Sequence, residues 1–271
     1  TDPRSHPVIG HRGMAAAAPE NTLEAMRLAF ACGADAVEFD LRLTADGEVV
    51  VIHDATVDRT TDGSGPVSAK PLAELRELNA GARFVAGSVE DRLPPPRTDV
   101  NGGLYPEYRA QASVRRTSIP LLREVLEEFP DRHLLIEIKD PKAALPARRL
   151  LEQFSAQNRC MVDSYSNAAL ADFHGSGIPL GAGKEGVVSL LKSFFLMRRP
   201  ALEYDGMCIP TNYAGYPLPV RLLRRIAHEA GKVVHIWTIN SAVEARALWK
   251  IGVNGIVADD VRPIIAERDR T

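Results

Sequence analysis

Short apolar runs bounded by turn residues recur along the chain at the length expected of buried β-strands. Nine runs are predicted as strands: 7–11, 36–43, 49–53, 134–139, 160–165, 178–183, 206–210, 233–239 and 255–259. Stretches with helical periodicity lie between most of them, at about 22–32, 120–129, 142–157, 167–174, 187–198, 218–230 and 241–250. This alternation indicates a parallel sheet, either doubly wound or closed into a barrel.

The link between the second and third runs decides between these two architectures. Residues 44–48 are too few for the crossover that parallel strands require, and Asp46-Gly47 is a hairpin turn signal. The run 49–53 is therefore predicted to return antiparallel to 36–43, which leaves eight strands that can be parallel. Eight strands within 271 residues fit a single (β/α)₈ TIM barrel that spans the chain.

The stretch 54–117 is too long for an ordinary loop. It has one helix-like run, at 72–78, in sequence rich in glycine, proline and arginine. We predict an insertion subdomain after the second barrel strand, either a functional insertion or a mobile linker. Its second half contains five arginines: Arg92, Arg97, Arg109, Arg115 and Arg116.

Composition and charge exclude several classes of protein. The chain is 45% hydrophobic and 25% charged, which is typical of a folded domain and not of a disordered or membrane-spanning chain. Its net charge of −2 argues against nucleic-acid binding through bulk positive charge. The three cysteines, which are widely spaced, predict neither a disulfide framework nor a zinc site. Their odd number favours a cytoplasmic location, with an export signal removed before Thr1 as the open alternative.

Glu38 and Asp40 lie two residues apart on a predicted strand, so their side chains share one face. In a barrel strand that face is the interior, while Phe39 and Leu41 point to the helices. Two carboxylates at the rim repel each other unless a cation or proton lies between them, so a hard metal such as Mg²⁺ or Ca²⁺ is predicted here. A solvated strand face is the alternative, and the apolar neighbours Ala36, Val37 and Phe39 argue against it.

Glu137 and Lys139 repeat this spacing on the next barrel strand. The two side chains could simply form an ion pair. Inward charges on an apolar strand are costly unless they are coordinated. We therefore interpret Glu137 as a third metal ligand and Lys139 as an anion contact.

Two histidines are predicted to converge on the same place. His11 and Arg12 end the first strand, at the edge where barrel enzymes carry out catalysis. Antiparallel pairing of the hairpin brings His53 opposite about Phe39, beside the Glu38 and Asp40 pair. One histidine can remove a proton and the other can supply one. His11 as base and His53 as acid is our hypothesis, and the residues leave the reverse order open.

These residues belong to motifs that resemble the glycerophosphodiester phosphodiesterase family. The resemblance runs from Ile9 to Asp259. The first sixty residues are the most specific part, with His11-Arg12-Gly13, Pro19-Glu20-Asn21-Thr22, Val37-Glu38-Phe39-Asp40-Leu41-Arg42, Val51-Ile52-His53-Asp54 and Asp58-Arg59-Thr60-Thr61. It continues at Ile119-Pro120-Leu121-Leu122, Ile136-Glu137-Ile138-Lys139, Trp237-Thr238-Ile239-Asn240 and Gly252-Val253-Asn254-Gly255-Ile256.

The resemblance implies a phosphodiesterase barrel in which Glu38, Asp40 and Glu137 hold one divalent cation. It also implies that His11 and His53 are the acid and base, that Arg12 and Lys139 contact phosphate, and that Trp237 lies by the carbon portion of the substrate. His235, on the same strand face as Trp237, is expected to be a core residue with its polar atoms paired. The segment 84–117 is longer than the corresponding segment in the family. The resemblance therefore does not determine head-group specificity.

The predicted activity is metal-dependent hydrolysis of a small-molecule glycerophosphodiester to an alcohol and sn-glycerol 3-phosphate. A lysophospholipase D of the same architecture is the first alternative, and a non-catalytic phosphate-binding barrel is the second.

Two weaker signals concern the surface. Gly181-Ala182-Gly183-Lys184-Glu185-Gly186 matches a dinucleotide fingerprint but is poorly placed for one, and we expect a loop at the barrel rim instead. The stretch 187–197, with its aromatic and basic residues, could make weak contact with a membrane surface, although an outer barrel helix explains the same pattern.

Overall fold

A computed structural model describes residues 6–85, 116–195 and 203–270. The strands are β1 (Val8–Gly10), β2 (Ala36–Leu43), β3 (Val49–Val51), β4 (His133–Ile138), β5 (Cys160–Asp163), β6 (Gly206–Pro210), β7 (Asn212–Tyr213), β8 (Tyr216–Pro217), β9 (Val233–Trp237) and β10 (Gly255–Ala258). The helices are α1 (Leu23–Ala31), α2 (Leu72–Arg76), α3 (Leu122–Glu128), α4 (Ala144–Gln153), α5 (Asn167–Ala171), α6 (Lys184–Phe195), α7 (Val220–Glu229), α8 (Ala242–Lys250) and α9 (Val261–Arg268).

Seven parallel strands form a nearly closed barrel in the order β5-β4-β2-β1-β10-β9-β6. The gap between β5 and β6 is filled by two residues, since Leu180 bridges to Val162 and Gly181 bridges to Gly206, both in parallel. The predicted strand 178–183 is thus reduced to a pair of bridges. Pro179 has no N–H to donate to a ladder, which is a physical reason for the shortness. The predicted TIM barrel is confirmed.

The hairpin is also confirmed. β3 pairs antiparallel with β2 in the register Leu41 to Val51, and Ile52 N donates to Asp40 O over 2.9 Å. Continuing this register places residue 53 opposite Phe39, as the turn length predicted.

Alternation along β2 separates the core from the site. Val37, Phe39 and Leu41 are completely buried against the helices, whereas Glu38 and Asp40 point to the barrel interior. Burial of such apolar side chains stabilises the fold by roughly 1.5–3 kcal/mol each.

Local signals set the ends of α1. The hydroxyl of Thr22 accepts from Ala25 N over 3.2 Å, and Gly33 follows the helix with a φ of +93°. Helix α9 lies outside the predicted elements. Pro263 falls in its first turn, where proline is tolerated, and the side chain of Asp260 accepts from Arg262 N.

Part of the predicted insertion packs against the barrel. A separate buried apolar cluster is formed by Val50, Ile52, Val57, Val67, Leu75, Ala80 and Ile119. Residues 86–115 lie outside the described residues, and so do four of the five arginines noted above, Arg92, Arg97, Arg109 and Arg115. The subdomain boundary 54–117 stays a prediction.

None of the helices in the described ranges is both long and apolar enough to cross a membrane. The helix predicted at 187–198 is present as α6, and residues 196–198 lie outside the described part of the chain.

Candidate active site

A cavity of about 190 Å³ opens at the carboxyl ends of the barrel strands. Seven of the predicted site residues line it: His11, Arg12, Glu38, His53, Glu137, Lys139 and Trp237. Asp40, the eighth, lies behind this surface and is 1% exposed. The barrel thus brings together side chains from β2, β4 and β9 and from the segments that follow β1, β3 and β4.

Glu38, Asp40 and Glu137 form an acidic cluster in which one oxygen of each lies within 4.8 Å of the others. Strand pairing produces this proximity, because Asp40 and Glu137 are partners in the β2–β4 register. Burial, together with the charges of Asp40 and Glu137, raises the pKa of Glu38 to about 8. Positive charge near the cluster favours ionisation of all three carboxylates, and oxygen ligands of this kind suit a hard divalent cation.

Lys139 supplies part of that positive charge. Its Nζ lies 2.7 Å from Glu137 Oε1 and 3.3 Å from Asp40 Oδ1. Burial alone would lower the pKa of Lys139, but Asp40 and Glu137 outweigh it and the pKa is raised. The ion pair considered as the simpler interpretation of Glu137 and Lys139 is therefore present, within reach of the acidic cluster.

Asp40 is held in place from behind. Asn21 Nδ2 donates to Asp40 Oδ2 over 2.8 Å, and Asp40 N donates to Asn21 Oδ1 over 3.1 Å. Asn21 has a φ of +59°, and its backbone N–H donates to Arg12 O. The loop before α1 thus fixes both Asp40 and the chain at Arg12.

Arg12 connects the acidic cluster to a second set of ion pairs. Its backbone N–H donates to Glu38 Oε2 over 3.0 Å, and its Nη1 donates to Glu20 Oε1 over 2.7 Å. Its Nε lies 3.5 Å from Asp40 Oδ2 and is buried without a hydrogen-bond partner. Arg12 adopts a φ of +52°, an uncommon conformation for a residue with a side chain and one that often marks functional sites.

His11 is oriented by a carboxylate from the other end of the chain. Its Nδ1 lies 2.6 Å from Asp259 Oδ1, and its Nε2 lies 3.9 Å from Glu38 Oε2. Burial tends to lower the pKa of His11, but the bond to Asp259 and the charge of Glu38 outweigh it, so the pKa is raised. Asn240 Nδ2 holds the other oxygen of Asp259 at 2.7 Å.

His53 has an equivalent partner in the next residue. Its Nδ1 lies 2.6 Å from Asp54 Oδ1, and its carbonyl accepts from Arg42 Nε over 2.8 Å. Arg59 Nε donates to the other oxygen of Asp54. Burial opposes ionisation of Asp54, but the bonds from Arg59 and His53 outweigh it and lower the pKa of Asp54 to about 2.

The far wall of the cavity is largely apolar. Trp237 borders it and donates from Nε1 to Cys208 O over 3.0 Å. His235, two residues earlier, has a buried Nδ1 with no hydrogen-bond partner, so the expectation of paired polar atoms there was wrong. Its neighbour Gly255 is the reason the ring fits, because a Cβ at that position would lie 2.8 Å from His235 Cδ2.

The sequence analysis assigned no role to three carboxylates near the cavity. Asp259, Asp54 and Asp163 each follow or end a strand, and that position was the available signal. Asp163 lines the cavity beside Glu137, its partner in the β4–β5 register. Burial and the charge of Glu137 raise the pKa of Asp163 well above its ordinary value.

Fold and site together define a class: a TIM barrel with an acidic cluster and two carboxylate-paired histidines in one cavity at the catalytic end. Residues 11–172 match the model of the glycerophosphoryl diester phosphodiesterase family, and the chain belongs to that family. A glycerophosphodiester phosphodiesterase of Caldanaerobacter subterraneus subsp. tengcongensis is 28% identical over 268 residues, which cover 95% of this chain and 96% of that protein.

Solved structures agree with this assignment. A phosphodiesterase of Oleispira antarctica, in complex with the product sn-glycerol-3-phosphate, matches with a TM-score of 0.72 and 26% identity, over 97% of this chain and 96% of that one. A glycerophosphodiester phosphodiesterase of Thermotoga maritima matches with a TM-score of 0.68 and 25% identity, over 96% of this chain and 97% of that one.

Proposed function

We propose that this protein hydrolyses glycerophosphodiesters to an alcohol and sn-glycerol 3-phosphate, with a divalent cation and two histidines. Membership of the family and the product complex of the Oleispira relative support the substrate class. The observation that carries the proposal is the acidic cluster, because its carboxylates adjoin a cavity that both histidines also line.

Glu38, Asp40 and Glu137 would hold the cation, either Mg²⁺ or Ca²⁺. Their oxygen-only donor set fits such an ion, and burial together with the neighbouring carboxylates raises the pKa of Glu38. When bound, the cation supplies positive charge against the phosphate oxygens, on which negative charge builds in the transition state.

Arg12 and Lys139 would contact the phosphate. Both side chains are cationic, both line the cavity, and both lie at the acidic cluster. They stabilise the transition state more than the ground state if they meet the charge that develops on phosphorus-bound oxygens. Trp237 would lie against the carbon portion of the substrate.

His11 and His53 would move the protons. A carboxylate on Nδ1 of each ring leaves Nε2 as the atom that exchanges a proton with the reactants. In the proposed order His11 takes a proton from the attacking water, and His53 gives one to the leaving alcohol.

The histidines are tested by replacement with alanine and assay of choline release from glycerophosphocholine. We expect His11→Ala and His53→Ala each to lower kcat about 10²- to 10⁴-fold, as loss of an acid or base does. His174→Ala is the matched control, because His174 is exposed and does not line the cavity. Turnover within tenfold of the parent in either site variant would contradict the assignment.

The cation is tested by a metal titration after chelation, with Mg²⁺, Ca²⁺ and Mn²⁺. We expect activity to disappear with the chelator and to return with added metal. Calorimetry should detect binding of the metal alone, and Glu137→Gln should weaken that binding at least tenfold. Activity that survives chelation and ignores added metal would mean that the cluster has another role.

A complete absence of turnover, across diesters and with all three metals, would instead favour the non-catalytic phosphate-binding barrel. Retained binding of inorganic phosphate in the same preparation would identify that outcome.

A further inference from the structure

Asp163 is a carboxylate of the cavity wall that the proposed chemistry does not use. It lies at the end of β5 and is the register partner of Glu137 on β4. It lines the cavity, but it does not belong to the acidic cluster, whose oxygens lie within 4.8 Å of one another. The proposed cation therefore has its ligands without Asp163, and this side chain is available for another partner.

The packing of Asp163 fixes one of its two oxygens and leaves the other for the cavity. Oδ1 accepts from Ser164 N over 2.7 Å. It is also the oxygen that packs against Gly181, where an added Cβ would lie 2.6 Å from it. Among the described residues, no N–H or O–H donates to Oδ2. The side chain is therefore held in one position, with Oδ2 as the atom that can bind a ligand.

The polar side chains next to that oxygen have partners of their own. Ser164 Oγ donates to Ile138 O over 2.6 Å. Lys139 Nζ is paired with Glu137 and with Asp40. Before substrate binds, water can donate to Oδ2. A ligand that displaces this water without supplying a donor of its own loses affinity, because the oxygen is then left unpaired.

We infer that Asp163 binds a hydroxyl group in the glycerol portion of the substrate. This inference rests on the proposed function and adds a specificity-determining residue to it. A hydroxyl both donates and accepts, so it can bond to a carboxyl group in either protonation state. The distance also fits, since neighbouring strands lie roughly 5 Å apart and the nearer glycerol hydroxyl lies about as far from phosphorus.

The glycerol portion matches this oxygen better than the head group does. Every glycerophosphodiester carries glycerol, whereas head groups differ, and the trimethylammonium group of choline has no N–H to donate. A site that hydrogen-bonds a hydroxyl strongly rejects analogues that lack it, because its own polar group then stays unpaired. A fixed carboxyl group at Asp163 therefore lets the barrel distinguish glycerol from an apolar alcohol on the same phosphate.

The first test measures choline release from glycerophosphocholine and from propyl phosphocholine, which lacks both glycerol hydroxyls. Asp163→Ala should lower kcat/KM for glycerophosphocholine about ten- to hundredfold through loss of the hydrogen bond. It should leave kcat/KM for propyl phosphocholine within about threefold of the parent. An equal loss on both substrates, or no loss on either, would overturn the inference.

Two further variants and a metal titration identify the cause. Asp163→Asn keeps an oxygen for Ser164 N and turns an amide donor to the hydroxyl, so it should recover most of the loss. Asp172→Ala removes an exposed aspartate that does not line the cavity, and it should keep the parental kcat/KM for both substrates. Calorimetry should show parental affinity for Mg²⁺ or Ca²⁺ in Asp163→Ala. A loss of metal affinity as large as that of Glu137→Gln would make Asp163 a metal ligand and overturn the inference.

A binding measurement separates glycerol recognition from hydrolysis. Calorimetry should show that the parent binds sn-glycerol 3-phosphate about ten- to hundredfold more tightly than propyl phosphate, and that Asp163→Ala binds both alike. If no diester is hydrolysed but this preference holds, Asp163 recognises glycerol and the hydrolytic function is wrong. If diesters are hydrolysed and the parent shows no preference, the inference is wrong and the proposed function stands.

Discussion

Single side chains around His53 form a continuous series of ion pairs. Asp54 accepts from His53 and from Arg59, and Arg59 also donates to both oxygens of Glu20. Glu20 in turn accepts from Arg12. One arginine therefore links the segment that carries the second histidine to the loop that carries the first.

We expect Arg59 to act as a positioning residue in this arrangement, so its removal should lower kcat. Without its planar guanidinium, Asp54 is free to rotate away from His53, so Arg59→Ala should lower kcat about tenfold with a smaller change in KM. Arg59→Lys should recover part of the loss. Steady-state kinetics and a thermal melt of each variant check this, because a purely structural role would lower the melting temperature without a selective loss of kcat.

The control is Arg148→Ala, which removes a half-buried arginine on α4 from its pair with Glu152 and from the carbonyl of Asp172, away from the cavity. It should keep the parental kcat. Parental kcat in Arg59→Ala as well would show that Asp54 needs no such partner.

Sequence patterns predicted which charged side chains face the barrel interior, because the period of two along β2 and β4 determines this directly. They did not predict which carboxylate would pair with His11. Asp259 is 248 residues away, and the two meet only because β1 pairs with β10 when the barrel closes. Such a pair depends on tertiary register, which no local pattern contains.

Among the elements, the short bridge between β5 and β6 depends on one glycine. A Cβ on Gly181 would lie 2.4 Å from the carboxyl carbon of Asp163. Gly181→Ala should therefore cost roughly 1–3 kcal/mol of unfolding free energy through overpacking. Denaturant unfolding measures this cost.

Two further variants identify the cause. Adding Asp163→Ala to Gly181→Ala removes the clashing carboxylate and should recover most of the loss. Gly186→Ala, on α6, meets nothing closer than 3.4 Å and should be neutral or stabilising. A double variant as unstable as Gly181→Ala alone would contradict this explanation.

The success of the element predictions followed the strength of the local signals. Asp46-Gly47 marked the β2–β3 turn, and the structure contains that hairpin. The run 178–183 looked like a strand because periodicity counts apolar residues, but it does not register that Pro179 lacks a donor. Helix α9 was not predicted from the sequence, because Pro263 interrupts the pattern that identifies a helix.

For the molecule as a whole, His235, whose Nδ1 is buried without a partner, makes stability depend on pH. Burial lowers the pKa of His235 to about 4. In the unfolded chain its pKa is about 6.5, so between about pH 6.5 and 4 the unfolded state binds more protons than the folded state. Stability is therefore lost as the pH falls through this window, and no such loss arises above it.

His235→Leu should remove this contribution. Relative to the parent, the variant should gain about 2 kcal/mol of unfolding free energy between pH 7 and pH 5. Denaturant unfolding at the two pH values measures the gain, and the exposed His174→Leu is the control that should not reproduce it. If His235→Leu and the parent lose the same unfolding free energy between pH 7 and pH 5, other groups dominate acid unfolding.

The acidic cluster and the apolar wall of the cavity come from different stretches of the chain. The histidines and two of the carboxylates lie before residue 61, whereas most of the apolar side chains that line the cavity lie between residues 182 and 218. Substitutions among the lining residues of that later stretch should alter what the barrel accepts while the proposed reactive groups stay unchanged. Exchanging those residues between relatives therefore offers a direct route to new specificity.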